Sequence, residues 1–189
     1  MSTDGRTSIH VYNARCALTV EPARNRRGDI HTANLETASR AAAVGDFRWA
    51  EKLVVQVTGT ELPDVLAVLL GHLPAVEFLY HGPRRDKGYR LFHDGERLIV
   101  QLFSGRGERF SVSLSAADRL ALSALLFRQL QRNHGGIAAE VLYAMITDIY
   151  RGADDAAPSR STSGGDELGA TSAPSVDDRA TPKNDPYDW

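Results

Sequence analysis

The sequence predicts an α+β fold in which antiparallel strands form curved sheets and helices follow them along the chain. Apolar and polar residues alternate over several short segments, as in strands with one buried face. Asp94-Gly95 stands between two such segments, and this pattern is the strongest short signal of a hairpin. The spacing becomes helical at residues 61–71 and again after Ser115. The predicted order is therefore three strands, a helix, four strands, two helices and a tail.

The first part of the chain predicts strands at residues 8–21, 28–40 and 49–59. The first is rich in β-branched residues and ends before Pro22, and the basic segment ARNRRGD forms the loop that follows. The second half of residues 28–40 is equally compatible with a helix. The third strand is the clearest, because its alternation places Leu53, Val55 and Val57 on one face and Lys52, Val54, Gln56 and Thr58 on the other.

A buried helix is predicted at residues 61–71, with Pro63 in its first turn and Gly71 at its end. An antiparallel meander follows, with strands at 75–81, 87–93, 96–103 and 108–115 and with one solvated face. The residues predicted to face the core are Val76, Phe78 and Tyr80 in the first of these strands, Leu98, Val100 and Leu102 in the third, and Phe110, Val112 and Leu114 in the fourth.

Two helices are predicted after the meander. The first begins with Ser115 and Asp118 in the spacing of a capping box, and Gly135-Gly136 ends it. Its apolar stripe comprises Leu122, Leu125, Leu126 and Leu130. The second covers residues 137–151, and its predicted apolar side comprises Ile137, Val141, Met145 and Ile149.

Charge divides the chain into two parts. Residues 1–151 carry a net charge of +3, whereas residues 152–189 carry −5 and consist largely of Gly, Ser, Ala, Pro, Thr and Asp. The second part has too little apolar surface to order itself. We therefore expect a mildly basic binding domain at 1–151 and a disordered acidic tail at 152–189.

The residues favour a binding protein over an enzyme. The six histidines have no metal-ligand spacing, and Cys16 has no second cysteine, which favours a buried thiol in a reducing compartment. Gly105-Arg106-Gly107 lies between two strands and is typical of a hairpin turn, whereas phosphate loops open helices. The N-terminal segment lacks a signal-peptide pattern, and the longest apolar run is too short to span a bilayer. We expect a cytoplasmic protein without a cofactor, metal site or catalytic residues.

A cluster of basic and aromatic residues suggests binding to single-stranded nucleic acid. Basic side chains can bind the phosphates of a nucleic acid, and flat aromatic rings can stack on its unpaired nucleobases. The alternative is that the basic side chains only solvate the sheet and that Phe92 and Phe103 belong to the core. The cluster comprises the basic residues Arg84, Arg85, Lys87, Arg90, Arg97, Arg106 and Arg109 and the aromatic residues Tyr80, Tyr89, Phe92 and Phe103.

The strand order and the segments TGTELPDVLAVLLG, HGPRRDKGYRL and LFRQLQRN, within residues 8–134, resemble the Whirly and positive-cofactor-4 (PC4) group. In more detail, the chain resembles the small single-stranded-DNA-binding proteins encoded by integrative and conjugative elements of proteobacteria. The resemblance implies a sequence-tolerant, non-enzymatic DNA-binding protein that forms a dimer or tetramer, with Lys87, Tyr89 and Arg90 as contacts. The complete set of expected DNA contacts is Lys52, Gln56, Arg84, Arg85, Lys87, Tyr89, Arg90, Arg97, Phe103, Arg106 and Arg109.

The end of the tail resembles the partner-binding tips of bacterial and phage single-strand-binding proteins. Its acidic and aromatic residues are suited to a basic pocket with an apolar slot on a DNA-processing protein. The tip comprises Asp185, Pro186, Tyr187, Asp188 and Trp189. The expected role is to protect or organise single strands during transfer or replication of a mobile element. For the protein as a whole, the alternative is a transcription or conjugation regulator that binds duplex DNA or protein. For the tail, the alternative is a solubilising segment without a partner.

Overall fold

The computed structural model describes residues 8–41 and 46–155, with side chains described up to Arg151. All the described elements lie within one compact unit. The strands are β1 (Ile9–Tyr12), β2 (Cys16–Arg24), β3 (His31–Ser39), β4 (Leu53–Val57), β5 (Ala75–His81), β6 (Lys87–Asp94), β7 (Arg97–Ser104) and β8 (Arg109–Leu114). The helices are α1 (Leu62–Leu70), α2 (Ala116–Asn133) and α3 (Ala139–Asp155), with a short 3-10 helix at Trp49–Glu51.

The strands form two four-stranded antiparallel sheets, β1-β2-β3-β4 and β5-β6-β7-β8, which we call sheet 1 and sheet 2. The predicted α+β class, the antiparallel sheets and the C-terminal helices are confirmed. One apolar core joins the inner faces of both sheets to the three helices. The predicted inward residues of β4 and β7 are buried in it: Leu53, Val55, Val57, Leu98, Val100 and Leu102.

The first predicted strand is two strands, so the chain has four strands before α1. Asn13 turns the chain between β1 and β2, because its side-chain oxygen accepts hydrogen bonds from the Arg15 and Cys16 amides at 2.8 Å each. The prediction that Pro22 ends this strand is wrong, since β2 continues to Arg24. β1 pairs with β2 only as far as Val20, so Pro22 has a neighbouring strand on one side only and is tolerated there.

Helix boundaries follow local capping chemistry. α2 begins with the predicted capping box, in which the Ser115 hydroxyl accepts from the Asp118 amide and the Asp118 carboxylate accepts from the Ser115 amide. α1 ends at Gly71, whose φ of 84° is in the left-handed region that favours glycine. α3 continues to Asp155, four residues beyond its predicted end at Arg151. The rest of the predicted tail, with its predicted partner-binding tip, lies outside the described residues.

The predicted apolar side of α3 is wrong. Leu142 and Ile146 are buried, while Ile137, Val141, Met145 and Ile149 are exposed. Polar side chains help to orient the helix. The Tyr150 hydroxyl donates to the Asp64 carboxylate of α1, and the hydroxyl of Thr147 lies 3.1 Å from His72 Nε2 after α1. These contacts turn one apolar side of α3 towards the core and leave a second one facing solvent.

The predicted inward position of Tyr80 is also wrong. Simple alternation along β5 predicts it on the inner face with Val76 and Phe78, but the pairing with β6 shifts register between Phe78 and His81. Such a bulge reverses which residues point inward. Tyr80 is therefore 66% exposed.

Candidate nucleic-acid interface

The outer face of sheet 2 carries basic and aromatic side chains. Along each strand these outward residues alternate with residues that are buried in the core. On β6, Leu91 is buried while Arg90 is exposed. On β8, Val112 is buried while Arg109 is exposed. Successive side chains of a strand point to opposite faces, so Arg90, Phe92, Phe103 and Arg109 all lie on the outer face. The alternative that Phe92 and Phe103 belong to the core is not what the structure shows, since both are half-buried on this outer face.

Each phenylalanine of this face has an arginine beside its ring. The Arg90 guanidinium carbon lies 4.6 Å from the centroid of the Phe92 ring, and that of Arg109 lies 5.6 Å from the Phe103 centroid. Arginine and an aromatic ring attract each other at these distances. Arg109 is also held by Gln101, whose Oε1 accepts from Arg109 Nη1 at 3.1 Å. A planar cation and a planar ring are thus presented together, twice, on one open surface.

Gly88 allows the Phe103 ring to lie across strand β6. Gly88 and Phe103 are register partners. A Cβ atom at Gly88 would lie 2.5 Å from the Phe103 ring and 2.6 Å from the backbone oxygen of Phe78. A larger residue would therefore displace the ring and disturb the pairing with β5. The glycine keeps the Phe103 ring close to the sheet surface.

Four of the predicted DNA contacts meet at an open cleft of about 640 Å³ between β4 and the turns at one end of sheet 2. The cleft also contains three acidic residues. Lys52 Nζ donates to Glu36 Oε2 at 2.6 Å, and Lys87 Nζ donates to the Val54 carbonyl oxygen at 3.2 Å, so both ammonium groups are already held in place. The charged residues lining the cleft are Lys52, Arg84, Lys87, Arg106, Glu51, Asp86 and Glu108.

Three other predicted contacts lie away from the cleft lining. Arg85 is exposed in the β5–β6 loop, and Arg97 is exposed at the start of β7. Gln56 lies on the outer face of sheet 1, where its amide donates to the Arg24 carbonyl oxygen at 3.0 Å and to Asn34 Oδ1 at 3.3 Å. The structure thus places Arg90, Phe103 and Arg109 together on the outer face of sheet 2. The four basic residues of the cleft lie at one end of this sheet, and Gln56 lies on sheet 1.

Tyr89 does not fit the predicted role of a base-stacking contact. It has no exposed surface, and its hydroxyl donates to Glu61 Oε2 at 2.8 Å. Its ring packs against Phe78 and His81 at centroid distances of 5.2 and 5.4 Å. Burial and the Glu61 carboxylate raise the pKa of Tyr89. The ring belongs to the core because Tyr89 shares the inward parity of Leu91.

Glu61 is the centre of this buried polar group. Its Oε2 also accepts from the Thr58 amide at 3.0 Å, and its Oε1 lies 3.2 Å from His81 Nε2. Burial alone would raise the pKa of Glu61, but the His81 imidazole, the Thr58 amide and the Tyr89 hydroxyl outweigh it and hold the pKa below its usual value. The group ties the start of α1 to β5 and β6.

An aromatic cluster on the outer face of sheet 1 was missed by the sequence reasoning. The Tyr12 and Phe47 rings lie 5.5 Å apart, Phe47 and Trp49 lie 6.5 Å apart, and the Arg40 guanidinium lies 5.8 Å from the Phe47 centroid. The alternation IHVY, in which Ile9 and Val11 are buried, indicates that Tyr12 points outward. Phe47 lies outside the predicted strands, and Trp49, which was predicted to begin the strand at 49–59, lies instead in the 3-10 helix before β4, so alternation could place neither ring.

The described part of the chain offers neither a metal-binding cluster nor a membrane-spanning helix. Within residues 8–41 and 46–155, no group of three or more His, Cys, Asp or Glu side chains is placed to hold a metal ion. Over the same ranges, no helix has the length and hydropathy needed to cross a bilayer.

No family model matches the sequence, and no curated protein matches it. Solved structures are similar in fold. The plant transcriptional regulator PBF-2 has a TM-score of 0.54 at 16% identity, covering 78% of this chain and 90% of that one. WHY3 from Arabidopsis thaliana has a TM-score of 0.52 at 18% identity, covering 80% and 99%. MRP1/MRP2 from Trypanosoma brucei has a TM-score of 0.54 at 19% identity, covering 69% and 86%. The two four-stranded sheets and their helices therefore have a Whirly-like α+β fold, as the sequence predicted.

Proposed function

We propose that the protein binds single-stranded DNA with little sequence preference and without catalysing a reaction. The observation that carries the proposal is the pair of arginine–phenylalanine contacts on the outer face of sheet 2, Arg90 with Phe92 and Arg109 with Phe103. Unpaired bases stack on exposed rings, and arginines neutralise phosphates and also stack. Neither contact reads the edge of a particular base, which supports binding that tolerates many sequences.

The basic residues of the cleft add positive charge at one end of the outer face of sheet 2. Arg84 and Arg106 are exposed there, and Lys52 and Lys87 are held beside them. Basic side chains next to a surface on which nucleobases can stack are suited to binding the phosphate backbone of a single strand. The similarity in fold to the proteins compared above supports the proposal. We further propose a role in transfer or replication of a mobile element, for which the sequence resemblance is the basis.

The test is a titration of 5′-fluorescein-labelled dT20 followed by fluorescence anisotropy, at several salt concentrations and in competition with a duplex of equal length. With about four to eight phosphate contacts, the slope of log K against log salt should be roughly −3 to −6, since each single-strand contact contributes about −0.7. Single strands should compete much better than duplex. A response that does not change with salt, or equal competition by duplex, would overturn the proposal.

A second candidate is a transcription or conjugation regulator that acts on duplex DNA. The observation that favours it is the likeness in fold to PBF-2, which is described as a plant transcriptional regulator. The same competition experiment separates the two candidates, because a duplex-binding regulator prefers the duplex competitor.

We also propose that two copies of the chain associate through α3. The exposed apolar stripe of this helix comprises Val141, Met145 and Ile149, with Ile137 just before the helix, and these four residues are 37–63% exposed. A two-fold axis perpendicular to the helix places its two copies antiparallel. Glu140 near the start of one copy would then face Arg151 near the end of the other, so charge as well as apolar area favours self-pairing.

The mass in solution tests this association. Met145→Lys should lower the molar mass measured by light scattering to that of one chain, while circular dichroism stays unchanged because the residue is exposed. Leu120→Lys, at an exposed leucine of α2, is the matched control. A wild-type chain that is already monomeric would contradict the proposal.

The acidic tail is proposed to recruit DNA-processing proteins through Asp185, Pro186, Tyr187, Asp188 and Trp189. The support is compositional: acidic segments with little apolar content are typically poor in aromatic residues, yet this one contains Tyr187 and Trp189. Pull-downs from bacterial lysate with the full chain and with a chain lacking residues 187–189 should recover different proteins. Identical recovery would leave the tail a solubilising segment.

A further inference from the structure

The end of β5 and the loop that follows it each contain one residue with unusual backbone geometry. Tyr80 has a φ of 66° and Arg85 a φ of 53°, both in the left-handed region that bulky side chains rarely adopt. Among the described residues these are the non-glycine residues with positive φ. Unfavourable backbone geometry persists where surrounding contacts hold it, and it is concentrated at functional sites.

The surrounding contacts explain how the geometry is held. The bulge exchanges two side chains, because His81 takes the inward position that alternation assigns to Tyr80. The His81 side chain is only 10% exposed, and its Nε2 lies 3.2 Å from Glu61 Oε1. The Tyr89 ring packs against it at 5.4 Å. A polar imidazole is thus buried and an aromatic ring is left in solvent, which is the reverse of the usual preference.

The exposed ring has a basic environment. The Arg85 guanidinium carbon lies 5.7 Å from the Tyr80 centroid. The same loop supplies Pro83, Arg84, Asp86 and Lys87 to the lining of the cleft. An arginine on one side of an exposed ring, next to a loop whose other residues line the cleft, is an arrangement that suits an unpaired base next to a phosphate.

We propose that Tyr80, supported by Arg85, stacks on an unpaired base at the edge of the cleft, in the role that the sequence predicted for Tyr89. The inference rests on the proposed single-strand binding and names a further contact for it. The bulge is the device that provides this contact, since a regular β5 would place the ring in the core.

Tyr80→Gly tests the inference, because it removes the ring and also suits the left-handed backbone. The melting temperature should stay the same or rise. The dissociation constant for labelled dT20 should increase roughly 5- to 100-fold, the range measured when a stacking ring is removed. The salt slope should not change, since no charge is lost. Tyr80→Trp should retain wild-type affinity, and Leu79→Ala, at the exposed neighbour in β5, should bind like the wild type.

An oligonucleotide of equal length with abasic sites separates stacking from other effects. Tyr80→Gly should bind this probe as well as the wild type does, because no base is present to stack. An unchanged affinity for dT20, an equal loss on the abasic probe, or a lower melting temperature would each overturn the inference. Failure of the wild type to bind dT20 would instead overturn the proposed function, and this outcome is seen before any variant is made.

Discussion

The two faces of sheet 2 use aromatic rings in opposite ways. On the inner face, Tyr89 is fully buried and its hydroxyl is bonded to Glu61. On the outer face, Phe92 and Phe103 are half-buried and each lies beside an arginine. The rings are similar in size and apolar character, so the residue type alone does not decide whether a ring is buried in the core or presented on the surface. Strand parity does, because one step along the strand moves a side chain from the core to the solvent.

The outer faces of the two sheets also differ. On sheet 1, Tyr12, Phe47 and Trp49 contact one another, and on the same face Ala17 and Ala38 are fully buried. On sheet 2, the rings pair with arginines and the surface stays open. The sheet 1 cluster thus stabilises its own sheet, whereas the sheet 2 face is suited to binding. Variants on each face should therefore affect different measurements.

The largest effect should come from the inner face. Tyr89→Ala should lower the free energy of unfolding by about 3–5 kcal/mol, because it removes a fully buried ring. Tyr89→Phe should cost about 1–3 kcal/mol, since it removes a donor to a buried carboxylate. Urea unfolding measures both. The folded Tyr89→Phe protein should bind dT20 like the wild type, and weaker binding by that variant would place the hydroxyl at the interface.

Outer-face rings should affect binding more than stability. Phe103→Ala and Phe92→Ala should each weaken dT20 binding by about 1–3 kcal/mol if a base stacks on the ring. The free energy of unfolding should change by less than about 1 kcal/mol, because both rings are only half-buried. Ile99→Ala is the matched control, since Ile99 is the register partner of Phe92 on the same face. An equal loss of affinity in all three variants would argue against stacking.

Outer-face charges should affect the salt dependence. Arg90→Ala and Arg109→Ala should each reduce the magnitude of the salt slope by about 0.7, the contribution of one single-strand phosphate contact. Arg109→Lys should keep the slope but lose affinity, because a lysine does not present a planar cation to Phe103. Arg128→Ala, at an exposed position of α2, is the control. A slope that falls equally in the control would indicate only long-range electrostatics.

The sequence predicts regular alternation well and its interruptions poorly. The inward residues of β4 and β7 follow from period 2, and the same rule applied to Leu91 would have placed Tyr89 in the core. Tyr80 could not be placed, because a bulge inserts one residue without a sequence mark. The orientation of α3 was also ambiguous. Two adjacent sides of this helix are apolar, and the contacts of Thr147 and Tyr150 with other parts of the chain decide which one is buried.

The smallest effect should be a difference in pH dependence between the two faces. The folded-state pKa of Glu61 lies below its usual value near 4.5, so the folded protein binds fewer protons than the unfolded chain in that range. The stability that Glu61 contributes is therefore present above about pH 4.5 and is lost as the pH falls towards the folded-state pKa. Tyr89 acts in the opposite sense: its pKa is raised, so its contribution is present below about pH 10 and declines at higher pH.

The outer face depends on arginines, whose charge is constant over this range. Binding of dT20 should thus vary little between about pH 6 and 9. Glu61→Gln keeps an acceptor for Tyr89 and should flatten the acid side of the stability profile measured by urea unfolding. If the acid side of that profile is unchanged in Glu61→Gln, another carboxylate is responsible for it, and the inner face is less sensitive to pH than its geometry indicates.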